Sequence, residues 1–224
     1  MADPDPQALE SAVAALRRVI ANLRKTQAPS DLLQQAEQQL DALSEQLAPY
    51  DHPGPYMQGT LEMGEGSMML DAQNPSEFFP YSPIVGPLNP IAPHVEFVKQ
   101  GNELVAEHVF DAPWCGPPAS VHGGVIALVF DELLGCAVVV NALGGFTGTL
   151  TVRYVALTPI GQPIRMRSWV DRQEGRKIWA KGTMHCGDTL LSQAEGVFIQ
   201  PAGMQAESLR EVREKLAQQQ RERS

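Results

Sequence analysis

The spacing of apolar positions changes along this chain, and each change marks an element. Leu9, Val13, Leu16, Ile20 and Leu23 recur every three or four residues, as do Leu33, Ala36, Leu40, Leu43 and Leu47. That is the period of two amphipathic helices. The break between them, QAPSD at 27–31, is short, and Ser30 or Asp31 suits a cap for the second helix. An antiparallel helical hairpin over 1–48 is expected. Prolines then recur from 49 to 93, so regular structure there must be brief, and the stretch reads as an extended arm or surface wrap.

Glu103 to Phe110 reads as a strand and is followed by the loop WCGPPASV. Gly123 to about Asn141 is apolar on nearly every side, the pattern of a buried helix. Four strand-like runs follow: Thr149 to Leu157, Pro163 to Asp171, Arg176 to Cys186 and Thr189 to Ile199. Glu174-Gly175 and Gly187-Asp188 are tight reversals between the last three. Strand, buried helix, then antiparallel meander predicts an α+β domain over 94–202, an antiparallel sheet wrapped around one long central helix. In 203–224, Leu209, Val212 and Leu216 predict a weakly amphipathic helix that fades into a polar tail.

Composition narrows what such a domain does. The formal net charge of −9 argues against nucleic-acid binding and against attraction to anionic lipid. An anionic substrate would need a local basic patch. Cys115, Cys136 and Cys186 form no CxxC pair, which fits a reducing compartment and neither a disulfide framework nor a zinc site. The histidines are scattered, so neither a metal nor an organic cofactor is implied. The N-terminal MADPDPQALE is acidic and lacks an apolar follow-on, and the apolar region Val125 to Val140 carries Asp131 and Glu132. A cytoplasmic protein with no membrane span is expected.

Those two acids are the chemical clue. Asp131 lies two and a half turns into the apolar helix, far from any capping position. An ionised carboxylate buried there unpaired would lose several kcal/mol of solvation, so it must be paired or face a polar cleft. The helix start offers the complement: its free N–H groups and dipole attract anions, and Gly123 and Gly124 leave room for a substrate carbonyl. The N–H of either glycine is a candidate oxyanion donor. His122 and Asp131 are separated by about 13 Å of rise and face opposite sides of the helix. One helix cannot bring both to one carbonyl, whereas two copies packed antiparallel about a twofold axis can.

HGGxxxxxxD opening a buried helix, followed by TLTVRYVALTPIGQPI and VDRQEGRKIWAKG, resembles the hotdog-fold acyl-CoA thioesterases, in particular the phenylacetyl-CoA branch and the related animal and actinobacterial thioesterase-superfamily proteins. The resemblance spans roughly residues 80–200. It implies an acyl-CoA substrate, a homodimer or dimer of dimers, and a site shared between subunits. It further implies Asp131 as nucleophile or general base, Gly123 as oxyanion donor and Thr147 as the hydroxyl that assists water. His122 either positions the loop or touches substrate. Gly124, Arg153, Arg176 and Lys177 are the implied substrate contacts, with the wider Arg/Lys group of the meander as the expected phosphate-binding surface. Two positions depart from the family: Gly116 where some relatives carry asparagine, and Val155 where close relatives often carry a polar residue.

Three rival readings remain. A dehydratase or hydratase needs a histidine with a nearby acid, and here the acid is on the far face of the helix. A triad of Cys115, His122 and Asp131 has no local signature. A non-catalytic acyl-CoA-binding or scaffold protein would use the N-terminal helices for interaction.

Overall fold

The structure, a computed structural model, describes residues 5–51, 56–59, 74–141 and 143–200. The C-terminal helix expected around Leu209, Val212 and Leu216 lies outside the described residues. Helices α1 (Pro6–Lys25) and α2 (Ser30–Leu47) open the chain. The domain proper comprises β1 (Val98–Gln100), β2 (Glu103–Val109), α3 (Gly123–Val140), β3 (Phe146–Tyr154), β4 (Pro163–Glu174), β5 (Lys177–Cys186) and β6 (Thr189–Ile199). One antiparallel sheet of six strands, in the order β1-β2-β4-β5-β6-β3, curls around α3.

The reversals explain the register. Gln100 pairs with Glu103, Glu174 with Lys177 and Cys186 with Thr189, so each hairpin closes on a two-residue turn. Gly101, Gly175 and Gly187 open those turns at positive φ. Of the four strand-like runs after the helix, only β4, β5 and β6 form the meander. β3 crosses to the far edge and pairs with β6, with Thr147 opposite Phe198, while β2 takes the place beside β4. Hydropathy marks a strand but not its neighbour, so this crossover is decided by how the sheet closes on the helix.

α3 is long and apolar enough, by composition, to cross a membrane. In the fold it is the core: Ile126, Val129, Phe130, Leu133, Leu134, Cys136, Ala137, Val138 and Val140 are buried. The helix sits close on the sheet because Gly182 and Gly196 lie beneath it. A Cβ on either would come within 3.1–3.2 Å of the Leu134 side chain. Its C-terminus is capped by Lys99, whose Nζ donates to Val140 O (2.6 Å), and by Asn141, whose amide donates to Ala137 O (2.8 Å). A cation there also complements the helix dipole.

Two expectations change. The Pro-rich stretch is no surface wrap in its second half: Phe78, Phe79, Ile84 and Val85 are buried in the same core as α3. Prolines remove backbone donors and leave carbonyls in need of partners. Arg17 of α1 supplies three of those bonds, donating to the carbonyls of Gly86, Pro87 and Asn89 at 2.7–3.0 Å. The second change concerns the hairpin. Both helices form, but Thr26 and Pro29 keep the link extended, and α1 packs on the 112–114 turn rather than along α2. Lys25 of α1 adds an ion pair to Asp111 at 2.6 Å. α2 buries none of its residues, and Leu32, Leu33, Leu43 and Leu47 stay exposed.

Candidate active site

The α3 N-terminus is built by a histidine cap. Nδ1 of His122 accepts from the Gly124 N–H at 3.0 Å, and the His122 carbonyl accepts from Val125 and Ile126. Since Nδ1 is the acceptor, a neutral ring carries its proton on Nε2. The cap occupies the Gly124 N–H and leaves that of Gly123 without a partner among the described residues. Of the two glycines proposed as oxyanion donors, Gly123 is therefore the one with a free N–H. Gly124 serves the helix start instead. Tyr154, a residue the sequence did not single out, meets the same end by donating its hydroxyl to Gly123 O at 2.8 Å.

The loop before the cap explains the departure at Gly116. Gly116 N–H donates to Ser120 O and His122 N–H to Trp114 O, both at 2.8 Å, which lays the two strands of the loop side by side. A Cβ on Gly116 would lie 2.7 Å from His122 Cα. An asparagine cannot stand there unless the loop moves.

Midway along the helix, Asp131 faces a cleft. Thr147 Oγ1 donates to its Oδ1 at 2.9 Å. Thr147 is aimed by a bulge, where the β3–β6 register slips between Thr147 and Thr149. The cleft measures about 180 Å³ and is bounded by Asp131, Glu132, Thr147 and the rings of Phe79, Phe146 and Phe198, with Gln58, Cys136 and Val139 completing it. Gly123, His122, Arg153, Arg176 and Lys177 do not line it. Gly123 sits eight residues up the helix from Asp131, about 12 Å of rise. A single chain thus brings Asp131 and Thr147 together and keeps the Gly123 N–H away.

Glu132 is the second acid of the cleft, and its surroundings were not legible in the sequence. Ser82 Oγ, fully buried, donates to Glu132 Oε1 at 2.6 Å, and the Cys136 thiol lies 4.0 Å from the same oxygen. Ser82 Oγ also accepts from the N–H groups of Ile84 and Val85, so its one proton is directed at Glu132. Burial pushes the Glu132 carboxyl above its ordinary range; Ser82 partly offsets this and the neighbouring Asp131 adds to it. Burial, then Glu132, raises the Cys136 thiol further still. The serine-proline turn in FFPYSPIVG is a readable signal for the local bonds. Nothing local announces the contact to Glu132, fifty residues away.

The expected basic surface is mostly neutralised. Arg167 forks onto Glu103 at 2.7–3.1 Å, Arg172 pairs with Asp171 and Glu174, and Lys181 with Asp171 and Glu195. Arg165 donates to the Gly187 carbonyl. Arg153 and Lys177 have no partner among the described residues, and Arg176 donates from Nε to Gln200 O at 2.8 Å. These three, the contacts implied from the sequence, do not form one patch. Arg153 pairs with Gln193 and, through it, sits level with Thr183, six residues from Lys177 and so about 20 Å along the sheet. Arg153 belongs to the Gly123 end; Arg176 and Lys177 belong to the Asp131 end.

Among the described residues no group of three His, Cys, Asp or Glu side chains could hold a metal ion, and Cys115, Cys136 and Cys186 are free thiols.

An antiparallel sheet wrapped around a central helix is the hotdog fold of the thioesterase superfamily. A crystal structure of a thioesterase superfamily protein superposes with a TM-score of 0.73 at 28% identity, covering 89% of this chain and 94% of that one. The acyl-coenzyme A thioesterase THEM4 of Xenopus laevis is 35% identical over 86 residues, 38% of this chain and 39% of its own length. The human acyl-coenzyme A thioesterase THEM5 is 31% identical over 87 residues, 38% of this chain and 35% of its own length. The chain thus matches well under half the length of these curated relatives. No protein-family model matches it. These likenesses identify the chain as a hotdog-fold relative of the acyl-CoA thioesterases.

Proposed function

We propose that this protein hydrolyses acyl-CoA thioesters to a carboxylic acid and CoA, in a site shared by two copies of the chain. The observation that carries the reading is the Asp131 carboxylate, held by Thr147 and open to a cleft although it projects from a buried helix. The Gly123 N–H polarises the acyl carbonyl. Asp131 of the partner subunit either takes a proton from water as water adds, or attacks the carbonyl itself. In the second course the C–S bond breaks and water then cleaves the mixed anhydride. In both, the CoA thiolate leaves and takes up a proton. Thr147 orients the carboxylate or the attacking water.

Shared sites follow from the 12 Å or so between Gly123 and Asp131 on one helix. Two exposed features support pairing of chains. β3 is an edge strand carrying exposed Phe146, at 75%, and Tyr154, and α3 leaves Leu128 in solvent at 40%. An uncovered edge of that kind favours association. Antiparallel pairing would also set Arg153 of one copy beside Arg176 and Lys177 of the other, which offers CoA phosphates the basic surface that neither end has alone.

Thiol release from short, long and aromatic acyl-CoAs by wild type and Asp131→Asn tests the activity. Turnover by wild type that falls by two to four orders of magnitude in the variant, roughly the range of a general base, supports it. A folded wild type that releases no thiol from any of them rules it out and leaves the acyl-CoA-binding reading. Sedimentation of wild type and Leu128→Asp tests the dimer: a monomeric wild type contradicts the shared site.

A further inference from the structure

Glu132 is the group that the proposed mechanism does not use. It is largely buried, it faces no cation among the described residues, and it lines the same cleft as Asp131. Its Oε1 is held by Ser82, whose proton can go nowhere else, while nothing described engages Oε2. The cleft is therefore walled by three phenylalanines and polar at Glu132, Gln58 and Cys136.

We infer that Glu132 is a specificity-determining residue of this site, and that the cleft takes acyl groups carrying a hydroxyl. The inference rests on the thioesterase reading. A plain alkyl chain threaded past Asp131 would displace water from Glu132 and leave its free oxygen without a partner, which is unfavourable for a buried polar group. A hydroxyl satisfies the carboxyl in either state, donating to the carboxylate or accepting from the acid. Burial raises the carboxyl's pKa and brings the acid form closer to neutral pH, and the hydroxyl serves there as well.

The test compares hexanoyl-CoA with 3-hydroxyhexanoyl-CoA and 6-hydroxyhexanoyl-CoA on the full chain. Wild type is expected to favour one hydroxylated substrate over the parent by about tenfold in kcat/KM, the ratio that follows from one buried hydrogen bond. Glu132→Met, of nearly equal volume, should abolish that ratio, and Glu132→Gln should restore it in part because the amide still donates and accepts. Glu132→Ala takes the place of Glu132→Met should the latter not fold. A ratio unchanged in the apolar variant, or a wild type that prefers the parent, overturns the inference. Should wild type turn over none of the three yet release thiol from long or aromatic acyl-CoAs, the inference is overturned and the hydrolase reading stands; should it release thiol from no acyl-CoA, the hydrolase reading fails and calorimetric binding of the same three substrates decides the site separately. Tighter binding of a hydroxylated substrate that disappears in Glu132→Met supports the cleft's role; equal binding overturns it.

Discussion

The hydroxyl of Thr147 reaches Oδ1 of Asp131 at 2.9 Å, from the start of an edge strand to the middle of the central helix. The bond orients a carboxylate that would otherwise rotate freely in the cleft. Removing it should weaken catalysis without weakening the fold, since Thr147 itself is exposed. Thr147→Ala is expected to lower kcat about ten- to hundredfold, the equivalent of one hydrogen bond to a charged group. Thr147→Ser should keep most of the activity. Thiol-release kinetics beside a melting curve for each variant would separate the two effects.

His122 is expected to act first on stability. Its Nδ1 caps Gly124, so His122→Ala should destabilise the fold by about 1 kcal/mol, typical for a lost N-cap. Asparagine at 122 can accept the same bond and should restore most of that loss. Urea denaturation of the three proteins makes the comparison. A His122→Asn protein that is stable yet inactive would show that the ring also meets substrate.

Restoring the relatives' asparagine at 116 should harm this chain. The added Cβ meets the His122 backbone at 2.7 Å, and backbone cannot swing aside as a flexible side-chain end can. A loss of about 1–3 kcal/mol is expected for Gly116→Asn, as for other overpacked sites, together with lower activity because the Gly123 N–H moves with the loop. A melting temperature and kcat/KM that both hold or rise would refute this.

Stability should fall between pH 6.5 and about 4. His108 is held down to about 4 by burial first and by His94 second, from an unfolded value near 6.5. The unfolded chain therefore binds more protons across that window, and stability present above pH 6.5 is lost as pH falls through the folded value. Partial exposure keeps the effect on the order of 2 kcal/mol. His94, also lowered by burial, works in the same direction. Glu132 works against it: with its folded pKa raised, it contributes stability at low pH that fades as pH rises. His108→Leu should flatten the profile measured by urea midpoints at pH 4.5 and 7, and an unchanged slope would exclude His108 as its source.

The sequence by itself determined the elements and the chemistry that rides on one of them. A helix apolar on every side must be buried, glycines after a histidine must mark its start, and an acid two turns inside it demands a polar opening. α3 runs over Gly123–Val140 and Asp131 does face a cleft, because these are local rules of period and solvation. Thr147 was named only through family resemblance, and the strand it opens begins three residues earlier than alternation suggested. Only the tertiary structure decided what meets what. That β3 leaves the meander for β6, that Ser82 reaches Glu132, and that Arg17 holds the carbonyls of a proline-rich segment are contacts across long stretches of chain. Packing around α3 sets them, and no spacing along the chain encodes that. The same holds for charge: Arg167 looks as available in sequence as Arg153, but strand register brings Glu103 to the first and sets the second opposite Gln193. Gly123 was preferred to Gly124 only through the family resemblance, and the physical reason, that the histidine has already taken the Gly124 N–H, is a matter of tertiary structure.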